Sequence, residues 1–237
     1  MSCSHSTRAS LAGEVGRRDS RNGPCYGGCV TSESTTPSET GMELALFPLR
    51  MVLFDGGRAP LQVFEPRYLD MVGRCMREAQ PFGVVLIRAG SDARLDPNWH
   101  QPNTFEVGTE AHIVDFNQLP NGRLGIIVKG GRKFRVVSTR EQDDYLMLAK
   151  VEYLPLEPEG TVGQEYNGLV EILRELIKHP GVQKLGLDID FADARSVGAR
   201  LSELLPIEPE IKQSLLQLQY PRERLTELTR LVNKLRG

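Results

Sequence analysis

A chain of 237 residues, 40% hydrophobic and 25% charged, has the composition of a folded protein with a core of its own. A net charge of −2 removes any general electrostatic pull toward nucleic acid or an acidic membrane surface, and no apolar run approaches the roughly 20 residues that cross a bilayer. Three of the four cysteines (Cys3, Cys25, Cys29) fall before residue 30 and only Cys75 after it, which is no disulfide framework and fits a reducing cytoplasm.

Residues 1–41 are rich in Ser, Thr, Gly and Arg and hold too few large apolar side chains for a core. They read either as a disordered extension or as sequence upstream of a true start at Met42. No signal-peptide apolar region is present, and Glu14, Asp19, Glu33 and Glu39 offset the arginines a transit peptide would need.

Leu46 to Phe54 is an apolar run of strand length. Asp55-Gly56-Gly57 supplies a turn, and Pro60 to Phe64 a second strand. Pro66 fits the first helical position with Glu65 as cap, and Phe64 and Leu69 stand where a hydrophobic staple would form. That helix runs to about Ala79, with Leu69, Val72, Cys75, Met76 and Ala79 expected on its apolar face. After Pro81, Phe82 to Ile87 reads as a fully buried strand. Residues 89–104 form a polar loop carrying Trp99, the only tryptophan, and His100.

Val107 to Phe116 is a half-buried strand, and Asn121-Gly122 a hairpin turn. Leu124 to Val128 returns, Gly130-Gly131 turns again, and Phe134 to Ser138 and Tyr145 to Leu154 complete the set. Short connections make the sheet mainly antiparallel and curl it toward a barrel. Pro155 to Gly160 is the expected boundary, so residues 42–156 are read as a β domain and 161–237 as a helical bundle, an α+β chain. In the bundle, His179-Pro180-Gly181 stops the first helix, with His179 suited as a cation to its C-terminal dipole. Asp190 and Asp193 resemble caps, Pro209 starts a third helix, and Leu225, Leu228, Val232 and Leu235 mark the last.

The sequence offers little chemistry. It has no phosphate-binding loop and no serine elbow of the Gly-x-Ser-x-Gly kind. Cys25 and Cys29 with Cys3 and His5 lack the second ligand pair of a zinc site, so no metal is expected. Asp188, Asp190 and Asp193 lack the glycine and glutamate of a calcium loop. His112 is read as a satisfied strand residue and Cys75 as a small buried hydrophobe. Arg123, Lys129, Arg132, Lys133, Arg135 and Arg140 form a basic cluster. It is read as the solvated outer face of hairpin strands that discourages edge pairing, with RNA binding as the alternative.

The stretch Phe47-Pro48-Leu49, Val52-Leu53-Phe54, Pro60-Leu61 and Phe64-Glu65-Pro66-Arg67-Tyr68 resembles, in order and spacing, the N-terminal substrate-binding domain of the ATP-dependent protease Lon. The similarity continues through Val107 to Ala111, Asn121-Gly122-Arg123 and Gly131 to Val136. It extends to Lys212 to Leu216 and Arg224-Leu225, so it covers about residues 43–236. Asp55 stands where that family usually has proline.

The resemblance implies a PUA-like β pseudo-barrel followed by a helical bundle, without cofactor or metal. It implies a free-standing substrate-binding module, because the chain stops at Gly237 before an ATPase or protease module could begin. The expected partner is unfolded or exposed apolar polypeptide, in an adaptor-like role in protein quality control, with neither nucleic acid nor membrane. A peptidase is the enzymatic alternative, and no nucleophile–base pair is offered for it. Phe47, Pro48, Leu49, Phe64, Glu65, Arg67 and Tyr68 are expected to hold the fold rather than to catalyse, and the binding surface is not located by sequence.

Overall fold

The computed structural model describes residues 41–91 and 99–236. The expectations for residues 1–40, including the combination of Cys3, His5, Cys25 and Cys29, lie outside them.

The β strands come first. β1 (Met42–Leu49), β2 (Arg58–Val63), β3 (Phe82–Ala89), β4 (Asn103–Thr104), β5 (Val107–Gln118), β6 (Leu124–Glu141) and β7 (Met147–Tyr153) are interrupted by one helix, α1 (Pro66–Glu78). β1 pairs with β7, β7 with β6, β6 with β5 and β5 with β3, all antiparallel. β3 then returns to β1 through a parallel pairing, Leu46 opposite Gly83 to Leu49 opposite Leu86, and closes a five-stranded ring. Closure removes sheet edges along most of the ring. β2 lies outside it, on the first half of β6.

Two strands had been expected between Leu124 and Ser138, separated by a Gly130-Gly131 turn. The structure instead holds one strand of 18 residues. The glycines mark the point where β6 changes neighbours, from β2 at residues 124–129 to β7 at residues 134–141. There the Asp55–Gly57 turn folds onto the strand, with Gly56 N donating to Gly130 O at 3.0 Å and Gly130 N to Gly57 O at 2.9 Å. A Cβ on Gly130 would overlap the Phe54 carbonyl oxygen. Close backbone approach, not a turn, is why glycine stands here.

The first strand also ends earlier than the apolar run suggested, at Leu49, and Val52 to Phe54 are buried without joining a ladder. α1 begins with Pro66 at its first position as expected, but Glu65 makes no side-chain cap and Phe64 and Leu69 are exposed. Its buried face is Tyr68, Met71, Val72 and Cys75, rotated from the expected one, while Leu69 and Met76 face outward. Burial of Arg67 and Tyr68 sets this rotation, since Tyr68 stacks on Phe47 with centroids 4.2 Å apart.

A turn of 3₁₀ helix (Gln164–Tyr166) leads into α2 (Asn167–Leu176), followed by α3 (Pro180–Gln183), α4 (Ala194–Leu204), α5 (Pro209–Gln217) and α6 (Pro221–Arg236). Asp193 caps α4 by accepting from Arg195 N at 3.0 Å. His179 N donates to Leu176 O at the end of α2 at 3.2 Å, but its ring is turned elsewhere. The ring caps α3, where Nδ1 accepts from Gly181 N at 3.2 Å.

The core has separate clusters. One gathers Tyr68, Met71, Val72 and Cys75 of α1 with Leu61, Ile126 and Val128 of the sheet. Another joins the helices to the sheet, uniting Leu173, Leu201, Leu225 and Leu228 with Val52, Phe54, Leu86 and Val107. The helices therefore complete a core that the strands leave open.

Candidate functional site

The residues that carry the family signature cluster around α1. Pro48 is buried in β1, and Phe47 lies between the rings of Tyr68 and Phe82. The Arg67 guanidinium sits over Tyr68 at 4.5 Å and over Trp99 at 4.6 Å, donates to the Tyr145 carbonyl at 2.9 Å, and pairs with Glu65 at 2.9 Å. Gln101 donates to the same carbonyl at 2.7 Å. One cation thus pins the segment around Trp99 and Tyr145 to the start of α1. Phe64 is the exposed member, with Arg123 stacked on its ring at 4.9 Å.

A second polar centre lies where the helices meet the sheet. Lys133 Nζ, on β6, donates to Glu157 Oε1 at 2.7 Å, Leu218 O at 2.9 Å and Leu216 O at 3.1 Å, which uses all three of its protons. Glu157 also receives both terminal nitrogens of Arg224 from α6, and Arg224 Nε donates to Leu215 O at 3.0 Å. Burial works against the Glu157 charge, but Arg224 and then Lys133 outweigh it and hold the carboxyl below its ordinary range. Burial lowers the Lys133 ammonium, and Glu157 offsets this only in part. A cleft of about 280 Å³ opens beside this centre, next to Asp55 and Arg200. Its principal charges are already committed to one another or to main-chain oxygens. That makes it a strut between sheet and helices.

The basic cluster is not one solvated face. Lys133 is buried, Arg132 stacks on Tyr153 at 4.3 Å, and Arg140 makes a two-pronged pair with Glu43 at 2.9 and 2.8 Å. Lys133 and Arg135 are two residues apart and share a side of β6, yet Lys133 is buried and Arg135 exposed, so what packs over each position decides its surroundings. Arg123, Lys129, Arg135 and Arg140 remain exposed. Among the described residues, no group of three His, Cys, Asp or Glu side chains is placed to hold a metal ion.

His112 is half exposed and meets Glu110 at 3.2 Å. Burial disfavours the Glu110 charge, yet Arg132 N, the Tyr153 hydroxyl and His112 together lower its carboxyl. Cys75 lies in the core cluster with Ala111. Cys75 and His112 both line the groove beside α1, but the hydrogen bond of the His112 ring goes to Glu110 and not to the thiol, so among the described residues the two are not seen as a nucleophile–base pair. Burial pushes the Cys75 thiol up, away from thiolate.

The surface feature with binding character lies along α1. Phe116 stands opposite Ile126 in the β5–β6 ladder, and Ile126 opposite Leu61 of β2. Ile126 and Leu61 are buried in the cluster with α1, whereas Phe116 is 57% exposed. Directly opposed residues share a face, so the apolar face beneath α1 runs on past the helix. A groove of about 380 Å³ follows, lined by Cys75 and Met76 of the helix, by Ala79 and Gln80 just past its end, and by the strand from His112 to Phe116, with Ile113, Val114 and Phe116 as its apolar members. Met76 (40%) and Val114 (45%) rim it in the open. The sequence reading missed this surface because it placed Met76 on the buried face. The spacing Tyr68, Met71, Val72, Cys75 is the signal that would have turned the helix correctly.

Comparison with known proteins gives a consistent result. Residues 43–234 match the family model described as the ATP-dependent protease La (LON) substrate-binding domain. The chain is 26% identical over 204 residues to a Lon protease of Lawsonia intracellularis, an alignment covering 82% of this chain and 24% of that protein. It is 28% identical over 199 residues to a Lon protease of Cytophaga hutchinsonii, covering 81% and 24%. The chain thus spans about a quarter of the length of these relatives. Among solved structures, a Lon N-terminal domain protein from Xanthomonas campestris superimposes with a TM-score of 0.63 and 34% identity, covering 79% of this chain and 97% of that one. The N-terminal domain of a Mycobacterium avium complex Lon protease shares the fold at 13% identity and a TM-score of 0.53.

Proposed function

Because the chain belongs to the family of the Lon substrate-binding domain, we propose that it is a non-catalytic module that binds exposed apolar segments of polypeptide in the groove between α1 and β5. The observation that carries this reading is the continuation of the apolar face beneath α1 into the open, where Met76, Val114 and Phe116 rim a groove. Exposed apolar surface joined to a groove marks an interaction site, and an unfolded chain is the partner that offers apolar side chains in water. The match to the substrate-binding part of the relatives supports a role without chemistry of its own. A module of this kind presents bound chains to other machinery as an adaptor in protein quality control. Cys75, free and buried, supports a reducing compartment such as the cytoplasm.

The test is binding of fluorescently labelled lactalbumin that has been reduced and alkylated so that it cannot fold, with the native form as control. The unfolded form binds and the native form does not. Met76→Glu combined with Phe116→Glu lowers affinity about tenfold or more, since both side chains are exposed and the charges oppose apolar docking. Undiminished binding by a double variant with unchanged Tm overturns the assignment of the groove. Cleavage of the bound chain that is lost on Cys75→Ser overturns the non-catalytic reading.

A further inference from the structure

Ring closure leaves one part of β5 outside it. β3 pairs with β5 at Phe82 opposite Ala111, Gly83 opposite Glu110 and Val84 opposite Thr109. β5 runs on beyond Ala111 for seven more residues, to Gln118, paired with β6 along that length. Among the described residues no strand occupies its other side from His112 to Gln118. The α1 groove opens beside this edge, since Ile113, Val114 and Phe116 line both.

Other one-sided stretches exist, and their chemistry differs. β2 pairs only with β6 and carries Pro60 in its middle, which has no N–H to offer. The end of β6 beyond Arg135 has Val136 N donating to Glu106 O at 2.8 Å and carries the charged residues Arg140 and Glu141. The edge of β5 joins open main chain to the groove beside α1 among the described residues.

One hydrogen bond shows the state of that edge. Phe116 N donates to Oδ1 of its own neighbour Asp115 at 2.8 Å. This N–H is engaged by a side chain of its own strand, and a carboxylate bound there competes with any carbonyl that would accept from it. The register also shifts between Ile113 and Asp115, a bulge that bends the edge. A bulge and an acidic side chain are devices that protect a strand edge from indiscriminate pairing.

We propose that Val114–Gln118 of β5 is a strand-acceptor edge, onto which an extended apolar peptide adds as a further strand while displacing the Asp115 carboxylate from Phe116 N. The inference rests on the polypeptide-binding reading above and specifies how the chain is held. A run of main-chain donors and acceptors is matched by another extended backbone, which supplies them at the same repeat of about 3.3 Å per residue. Alternate side chains of the added strand then fall, about 7 Å apart, toward Met76 and Phe116 in the groove. Recognition is by backbone and alternate apolar side chains, so it is tolerant of sequence. Asp115 sets the threshold, excluding peptides too weak to displace it.

The probe is a labelled nine-residue peptide of alternating valine and threonine with a lysine at each end, beside the same peptide N-methylated at alternate residues so that one edge loses its donors. Both are titrated against the full chain and against Asp115→Ala, with lactalbumin binding run in parallel. The unmodified peptide binds, N-methylation on the pairing edge weakens it about tenfold or more, and Asp115→Ala tightens it several-fold. Amide exchange at Val114–Gln118 slows on binding. Equal affinity for both peptides, with lactalbumin still bound, overturns the strand-acceptor edge and leaves the groove reading intact. No binding of either peptide or of unfolded lactalbumin overturns both. A dimer in sedimentation that Asp115→Ala strengthens and peptide does not dissociate assigns the edge to a second copy and overturns the peptide occupant.

Discussion

Glu157 lies in the proline-flanked segment that reads as a boundary in sequence, yet its side chain is 14% exposed and joins β6 to α6. Glu157→Ala leaves Lys133, 7% exposed, and Arg224, 1% exposed, without a counter-charge. Both keep main-chain acceptors, Leu216 O and Leu218 O for Lys133 and Leu215 O and Leu218 O for Arg224, so the loss is mainly one of charge compensation. Removing one partner of a buried ion pair costs about 3–5 kcal/mol. The adjoining cleft admits water, which places the expected loss near the lower end, about 3 kcal/mol. Urea unfolding of the full chain, followed by far-ultraviolet circular dichroism, measures it as a shift in midpoint at constant m-value. The Glu157 carboxyl is held below its ordinary value of 4.5. Its contribution is thus present above that value and lost as the pH falls through the folded pKa. The gap between wild type and Glu157→Ala therefore narrows in acid. A loss under about 1 kcal/mol, or a gap unchanged in acid, refutes the strut.

Burial raises the Glu203 carboxyl to about 7 against the opposing pull of Arg200, so the stability its proton supplies is full below pH 4.5 and lost as the pH rises through 7. Wild type should lose up to about 3 kcal/mol relative to Glu203→Gln over that range, and parallel pH curves for the two proteins contradict the assignment. Gly130→Ala drives a methyl group into the Phe54 carbonyl and should cost about 3 kcal/mol or more or prevent folding, while Gly122→Ala, at φ +77 in an open turn, costs about 1 kcal/mol; similar thermal midpoints for the two would count against the close approach. Arg67→Lys keeps the charge but loses the planar stack between Tyr68 and Trp99. Emission from Trp99 should then move to the red at temperatures where the ellipticity is unchanged, and an unshifted spectrum excludes the clamp.

Much of the fold could be read in the amino-acid sequence because its signals are local. Pro66 and Pro209 each open a helix, Asp193 caps one, and the apolar run Phe82 to Ile87 is a buried strand. The stretch from Phe47 to Tyr68 carries the family resemblance on neighbouring residues alone. What the sequence could not determine depends on partners distant along the chain. Gly130-Gly131 has the composition of a turn and becomes a strand interior, because the Asp55–Gly57 loop, some 75 residues earlier, folds against it. The cluster from Arg123 to Arg140 looks uniform as a string, but Glu43, Glu157 and Tyr153 draw its members apart. The candidate site is the clearest case. Met76 and Phe116 are apolar residues at plausible core positions, and only the packing of Tyr68 on Phe47 turns Met76 outward. Likewise, only the register at which β3 stops pairing leaves β5 open beyond Ala111. Periodicity shows that a residue belongs to an apolar face, but a face is buried only where another element reaches far enough to cover it, and that reach is a property of the folded chain.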